Sequence, residues 1–139
     1  MKTTQEKALK ALKAMNEICK YRFHLSDSLK LKRIWKELGF VYEFQVQEEQ
    51  KLVDEYQPEN VNGLYTFRFD KDDVDRKEQA AEFQKKLAEI GLLEIELNIE
   101  PVRIYVLDKF NDFCPTPETL MDLDGFVEFI EPEPEVPAE

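Results

Sequence analysis

The acids are the side chains in this sequence best placed for chemistry. Asp70, Asp72, Asp73 and Asp75 crowd into "FDKDDVD", and Glu94, Glu96 and Glu100 alternate with apolar residues in "LEIELNIE". Hard cations such as calcium or magnesium take several carboxylate oxygens, so the first cluster has the right atoms. A calcium loop also needs a turn glycine at its sixth position and an acid at its twelfth. Counted from Asp70, those positions hold Asp75 and Ala81. The cluster therefore reads as acids collected at a helix N-terminus, where unpaired amides and the positive end of the dipole favour negative charge. "DLDG", from Asp122 to Gly125, reads as a helix end rather than a metal loop.

The glutamates suggest a carboxylate pair. Hydrolytic pairs sit in a cleft, with one acid raised by burial. Acids alternating along a strand point to solvent instead, roughly 6.5–7 Å apart. That spacing suits contact with a basic surface, including one that ordinarily binds the phosphates of a nucleic acid. Glu43, on a stretch read as a neighbouring strand, extends the expected acidic face.

Little other reactive chemistry is present. His24 is the only histidine, and it sits beside a helix start. Cys19 falls on an apolar stripe, where a thiolate is disfavoured. Cys19 and Cys114 are too few for a disulfide framework and too far apart for a metal knuckle. Glycines stand singly at 39, 63, 91 and 125, so no phosphate-cradling loop forms. The expectation is a non-enzymatic chain with no cofactor and no resident metal.

These residues must be positioned by a short series of elements. In "TTQEKALKALKAMNEICKYRF", Thr3 and Glu6 have capping-box spacing, and Ala8, Leu12, Met15 and Cys19 recur at helical spacing. A second helix follows "HLSDSL", with Leu31, Ile34, Trp35 and Leu38 on one face and Lys32, Arg33 and Lys36 opposite. Gly39 is read as its C-cap. "FVYEFQVQ" alternates apolar and polar residues and predicts a strand. "LYTFRFD" predicts another. Asp72 or Asp73 caps a third helix lined by Ala80, Phe83, Leu87 and Ile90 and closed by Gly91. "LLEIELNIE" and "VRIYVLD" complete the strands. "TPETLMDLDG" predicts a short helix capped by Thr116, "FVEFI" an apolar run docked on the body, and "EPEPEVPAE" an extended tail.

The expected fold is α+β in the order α-α-β-β-α-β-β: an N-terminal helical pair, then a mostly antiparallel four-stranded sheet with helices on one face. Residues 1–130 form one expected domain: a basic helical pair at 3–39, sheet and helix at 40–108, and a C-terminal cap at 109–130. Residues 131–139 form an expected disordered acidic tail. No apolar run is long enough for a transmembrane helix, and the N-terminus lacks the apolar stretch of a signal peptide, so a cytoplasmic protein is expected.

Charge then narrows the partners. The net charge is -11, but residues 1–40 carry +6, residues 41–117 carry -9 and residues 118–139 carry -8. Such asymmetry bears on partners rather than on fold. The leading expectation is a non-enzymatic protein-binding module, a small acidic inhibitor or adaptor that engages the basic surface of a nucleic-acid-handling protein, with nucleic-acid mimicry as the expected mode. Its expected contact residues are Glu43, Asp70, Asp72, Asp73, Asp75, Glu94, Glu96 and Glu100. Small acidic antagonists carried by phages and plasmids, anti-restriction and anti-CRISPR proteins among them, share this size and charge; the similarity is one of class. The alternative is a nucleic-acid binder that uses Lys32, Arg33 and Lys36 on phosphates, with the acidic tail as an internal competitor.

Overall fold

Leu31, Ile34, Leu38, Val41, Leu52 and Tyr56 are buried at intervals that fit one continuous helix, and that helix organises the molecule. The computed structural model describes residues 1–105 and 115–130. In chain order the elements are β1 (Lys2–Thr4), α1 (Gln5–Ile18), α2 (Leu25–Tyr56), β2 (Glu59–Val61), β3 (Leu64–Thr66), α3 (Val74–Leu92), β4 (Glu94–Glu96), β5 (Val102–Tyr105), α4 (Pro117–Asp122) and β6 (Val127–Ile130). The fold mixes helix and strand, with 59% of the described residues helical and 17% in strands, so helices carry the architecture.

The largest correction to the sequence reading lies at residues 40–47. They form the middle of α2, not a strand. Phe40, Tyr42, Phe44 and Val46, expected to share a buried sheet face, are all exposed, whereas Val41 is buried. At about 100° per residue the four expected partners splay to the two flanks of the helix. Gly39 is likewise not a cap. It lies inside α2, and a Cβ placed on it would meet nothing within 4 Å. The helix ends at Gln57, a left-handed residue whose N–H donates to the Val53 carbonyl.

The other helix ends follow local chemistry, with small shifts. Thr4, not Thr3, caps α1 by accepting from the Lys7 N–H. Asp73 caps α3 by accepting from the Arg76 N–H at 3.0 Å. Gly91 does not close α3; the helix runs one residue further, to Leu92. Thr116 caps α4, with Pro117 in the first turn. Trp35 also departs from its expected apolar face. It is 43% exposed and donates its Nε1–H to Asn16 Oδ1 at 3.0 Å, tying α2 to α1.

The expected four-stranded sheet does not form. Three two-stranded ladders take its place: β1 antiparallel to β4, β2 antiparallel to β3, and β5 parallel to β6. With residues 40–47 helical, the strand that would have joined them is missing. The β2–β3 hairpin turns through Asn62 and Gly63, both at positive φ, the combination that a two-residue turn matched to strand twist requires. "FVEFI" docks on the body by pairing β6 with β5, Val127 opposite Val102. Residues 106–108 of the expected last strand, Cys114 and the tail 131–139 lie outside the described residues.

Two hydrophobic clusters form along α2. One gathers Ala8, Ala11, Met15 and Ile18 of α1 with Leu31, Ile34 and Leu38 of α2, closed by Leu97, Ile99, Ile104 and Leu123. The other gathers Leu52, Tyr56, Phe83 and Ile90, with Tyr65 and Phe67 of the hairpin packed on it. Phe83 is fully buried, and the rings of Tyr56, Tyr65 and Phe67 meet it edge-on at 5.2–6.0 Å. Helices α1 and α3 thus pack on α2 in tandem. They meet where the Gln5 N–H donates to the Leu93 carbonyl at 2.9 Å.

Candidate partner-binding surfaces

The acids near residue 70 belong to the start of α3. The Asp70 carbonyl accepts from the Asp73 N–H and the Asp72 carbonyl from the Val74 N–H, so a tight turn leads into the Asp73 cap. Asp70, Asp72, Asp73 and Asp75 are all exposed. Among the described residues, no three His, Cys, Asp or Glu side chains are placed to share a metal ion. What the turn supplies is negative charge at a helix N-terminus.

The acidity continues along α3 in a row that the sequence reading did not single out. Asp75, Glu78, Glu82 and Glu89 fall within about 60° of one another on a helical wheel, and all are exposed. The row spans about 21 Å at 1.5 Å per residue. Its spacing of three, four and seven was the signal that could have found it. Lys86 partly neutralises one position: its ammonium lies 3.6 Å from Glu82 and 3.7 Å from Glu55. The Tyr56 hydroxyl, then those glutamates, hold the Lys86 ammonium above its ordinary pKa. Asp75, Glu78 and Glu89 have no cation within 4 Å among the described residues.

The glutamates of β4 are placed differently from expectation. Glu43 is not beside them; it lies on α2, and the hydrogen-bonded neighbour of β4 is β1. Glu94 and Glu96 are exposed on β4, with Glu96 opposite Lys2 and 3.5 Å from the Met1 ammonium. Leu97 and Ile99 turn into the core and leave Asn98 and Glu100 at the surface, as the alternation predicts.

The tertiary fold joins two sets of residues that the sequence reading kept apart. Lys30 and Arg33 of α2, with Glu96, Asn98 and Glu100, line one open groove of about 750 Å³. The groove therefore holds both signs of charge. Lys32 and Lys36 are exposed on α2 but do not line it. Lys7 and Lys10 of α1 line a second pocket, of about 350 Å³, with Asp122 and Asp124 at the end of α4. Much of the basic N-terminal charge thus has acids close by.

A third hollow, of about 550 Å³, lies where α1 and α3 meet and is lined by Leu9, Leu87, Ala88 and Leu92 under a rim of Lys10 and Lys13. His24 occupies the N-cap position of α2 without a side-chain capping bond. Burial pushes the Cys19 thiol up from its ordinary pKa, which keeps it protonated and unreactive at neutral pH.

No helix among the described residues is long and apolar enough to cross a membrane. No protein-family model, curated protein or solved structure matches the chain.

Proposed function

We propose that this chain is a non-enzymatic protein-binding module, a small acidic inhibitor or adaptor that engages the basic surface of a nucleic-acid-handling protein. The carrying observation is the row Asp75, Glu78, Glu82 and Glu89, continued at the helix start by Asp70, Asp72 and Asp73. Residues 41–92 hold thirteen acids against seven basic residues. The row is displayed on a helix pinned by the Phe83 cluster, so its acids are held at fixed spacing before a partner arrives. Preorganised charge of one sign steers encounter and discriminates against acidic surfaces. Positions one to two helical turns apart overlap the spacing of phosphates along a strand, which supports competition with nucleic acid for a basic site. In this reading the chain acts as the phage and plasmid antagonists of similar size and charge do. The alternative of direct phosphate binding by Lys32, Arg33 and Lys36 is weakened by Glu96 and Glu100, which share the groove of Arg33.

The test is capture on the immobilised chain at low and high salt. A parallel column carries Asp75→Lys, Glu78→Lys, Glu82→Lys and Glu89→Lys. Proteins retained by the wild type alone are purified and rebound in the presence of DNA. Salt-sensitive binding that DNA displaces supports the proposal. Identical retention on both columns, or binding indifferent to DNA, overturns it.

A further inference from the structure

We propose that residues 131–139 fold back along the first turns of α2 and cover a basic strip there. Leu25, Leu29, Lys32, Arg33 and Lys36 fall within about 100° of one another on the helical wheel, and all are exposed. The two leucines are 76% and 56% exposed. The acids of this stretch lie off the strip: Asp27 is buried on the opposite side, and Glu37 is half-buried on the flank. Among the described residues no carboxylate lies within 4 Å of Lys32 or Lys36. The bases of α1 are served differently. Lys10 and Lys20 are paired with Glu6 and Glu17, and Lys7 shares its pocket with Asp122 and Asp124.

The chain delivers an acidic segment to this end of α2. Strand β6 ends at Ile130, opposite Tyr105, and the Tyr105 N–H donates to Asp27 Oδ2 at 3.3 Å in the first turn of α2. One residue earlier, Phe129 stacks on Phe23, just before α2 begins, with 6.4 Å between ring centres. Residue 131 therefore starts beside the N-terminal end of α2. Nine residues in a polyproline conformation extend about 28 Å. Asp27 and Lys36 are about 14 Å apart along the axis, and a path half-way round the helix from one to the other is about 22 Å long. The segment is long enough to reach both lysines.

Its composition fits the strip. "EPEPEVPAE" has four glutamates and no base, with Val136 and three prolines among them. The carboxylates meet the Lys32 and Lys36 ammonium groups, and the apolar residues cover Leu25 and Leu29. Proline has a fixed φ, so less freedom is lost when such a segment docks. The tether supplies an effective concentration in about the millimolar range, so a contact too weak to join separate chains is populated within one. With the strip covered, Lys32 and Lys36 no longer repel a basic partner. The contact uses none of Asp75, Glu78, Glu82 and Glu89, so it stands or falls apart from the proposed function.

Zero-length carbodiimide cross-linking of the full chain tests the contact, with the monomer fraction read by peptide mass spectrometry. The expected cross-links join Lys32 or Lys36 to glutamates of residues 131–139. Their yield falls about fivefold or more when salt rises from about 0.05 to 0.5 M. Leu25→Ser with Leu29→Ser, which keeps every charge, also lowers the yield at unchanged helix content. A second chain carries Glu131→Gln, Glu133→Gln, Glu135→Gln and Glu139→Gln. In it Lys32 and Lys36 acetylate faster than in the wild type, while Lys13 and Lys85 keep their rates. Four results would overturn the proposal. They are a monomer without these cross-links, a yield at Lys13 equal to that at Lys32 and Lys36, cross-links confined to covalent dimers, and acetylation of Lys32 and Lys36 at one rate in both chains. In the last case, protection of these lysines by vesicles of anionic lipid would assign the strip to a membrane surface instead.

Discussion

Arg76, in the first turn of α3, donates its Nη1–H to the carbonyl of Tyr56, the last residue of α2, at 2.7 Å. Its Nη2–H reaches the Gln57 carbonyl at 3.0 Å, and the guanidinium lies 4.5 Å from the centre of the Phe67 ring. One side chain thus closes the C-terminus of α2, holds the start of α3 against it and covers the hairpin. The carbonyls at a helix end lack partners within the helix, and a cation there also meets the negative end of the dipole. Arg76→Ala is expected to cost about 2 kcal/mol in urea unfolding, the scale of charge-assisted hydrogen bonds lost. Arg76→Lys should recover less than half, because an ammonium cannot span both carbonyls and stack on the ring.

Gly39 gives a direct test of the longest helix. A left-handed cap would make Gly39→Ala destabilising. Inside a helix, with open space around the new Cβ, the same change should stabilise by about 0.5–1 kcal/mol. A thermal or urea midpoint that moves up confirms a continuous α2; one that moves down restores the cap.

Phe83→Ala removes the ring on which Tyr56, Tyr65 and Phe67 converge. The expected loss is about 3–5 kcal/mol. Because α2 carries two separate clusters, the damage should be local. Amide exchange should accelerate at residues 50–92 well before residues 8–38.

Gln5 is buried, with its Nε2 donating to the Val41 carbonyl at 2.9 Å and to Gln45 Oε1 at 3.2 Å, while its Oε1 has no partner among the described residues. Gln5→Met trades these bonds against the removal of an unpaired buried acceptor, so stability should change by less than about 1 kcal/mol. Gln5→Glu replaces the donor with a carboxylate oxygen beside a carbonyl. It should cost about 3 kcal/mol or more near pH 7, with partial recovery on acidification as the carboxyl regains a proton.

Alkaline pH should weaken the fold through Cys19. Burial raises the thiol above its ordinary value of 9.0. The unfolded chain therefore loses this proton first as pH rises. The contribution is complete below pH 9.0 and is lost as pH climbs through the raised folded value. Cys19→Ala should flatten this limb of the stability curve. An equally steep decline in the variant would assign it to other groups.

Two helix starts were legible in the sequence, whereas the ends read at Gly39 and Gly91 are not where the helices stop. Thr116 and Pro117 mark α4 and Asp73 marks α3, because each acts on amides within a few residues of itself. The alternation of Leu97 and Ile99 with Asn98 and Glu100 was legible for the same reason. Residues 40–47 were not. Phe40, Tyr42, Phe44 and Val46 satisfy a two-residue period, while Leu38, Val41, Gln45 and Leu52 satisfy a helical one in the same stretch. Nothing local chooses between them. The helical reading is the one that gives this stretch distant partners: Gln5, about forty residues upstream, bonds to the Val41 carbonyl and to Gln45, and Val41 joins the cluster around α1. The charge asymmetry was set by composition alone. Its distribution in space was not: the long helix brings Arg33 to the groove of Glu96 and Glu100, and α3 lines up Asp75, Glu78, Glu82 and Glu89. Short-range hydrogen bonding is written in adjacent residues, whereas burial depends on partners that only the folded chain brings within reach.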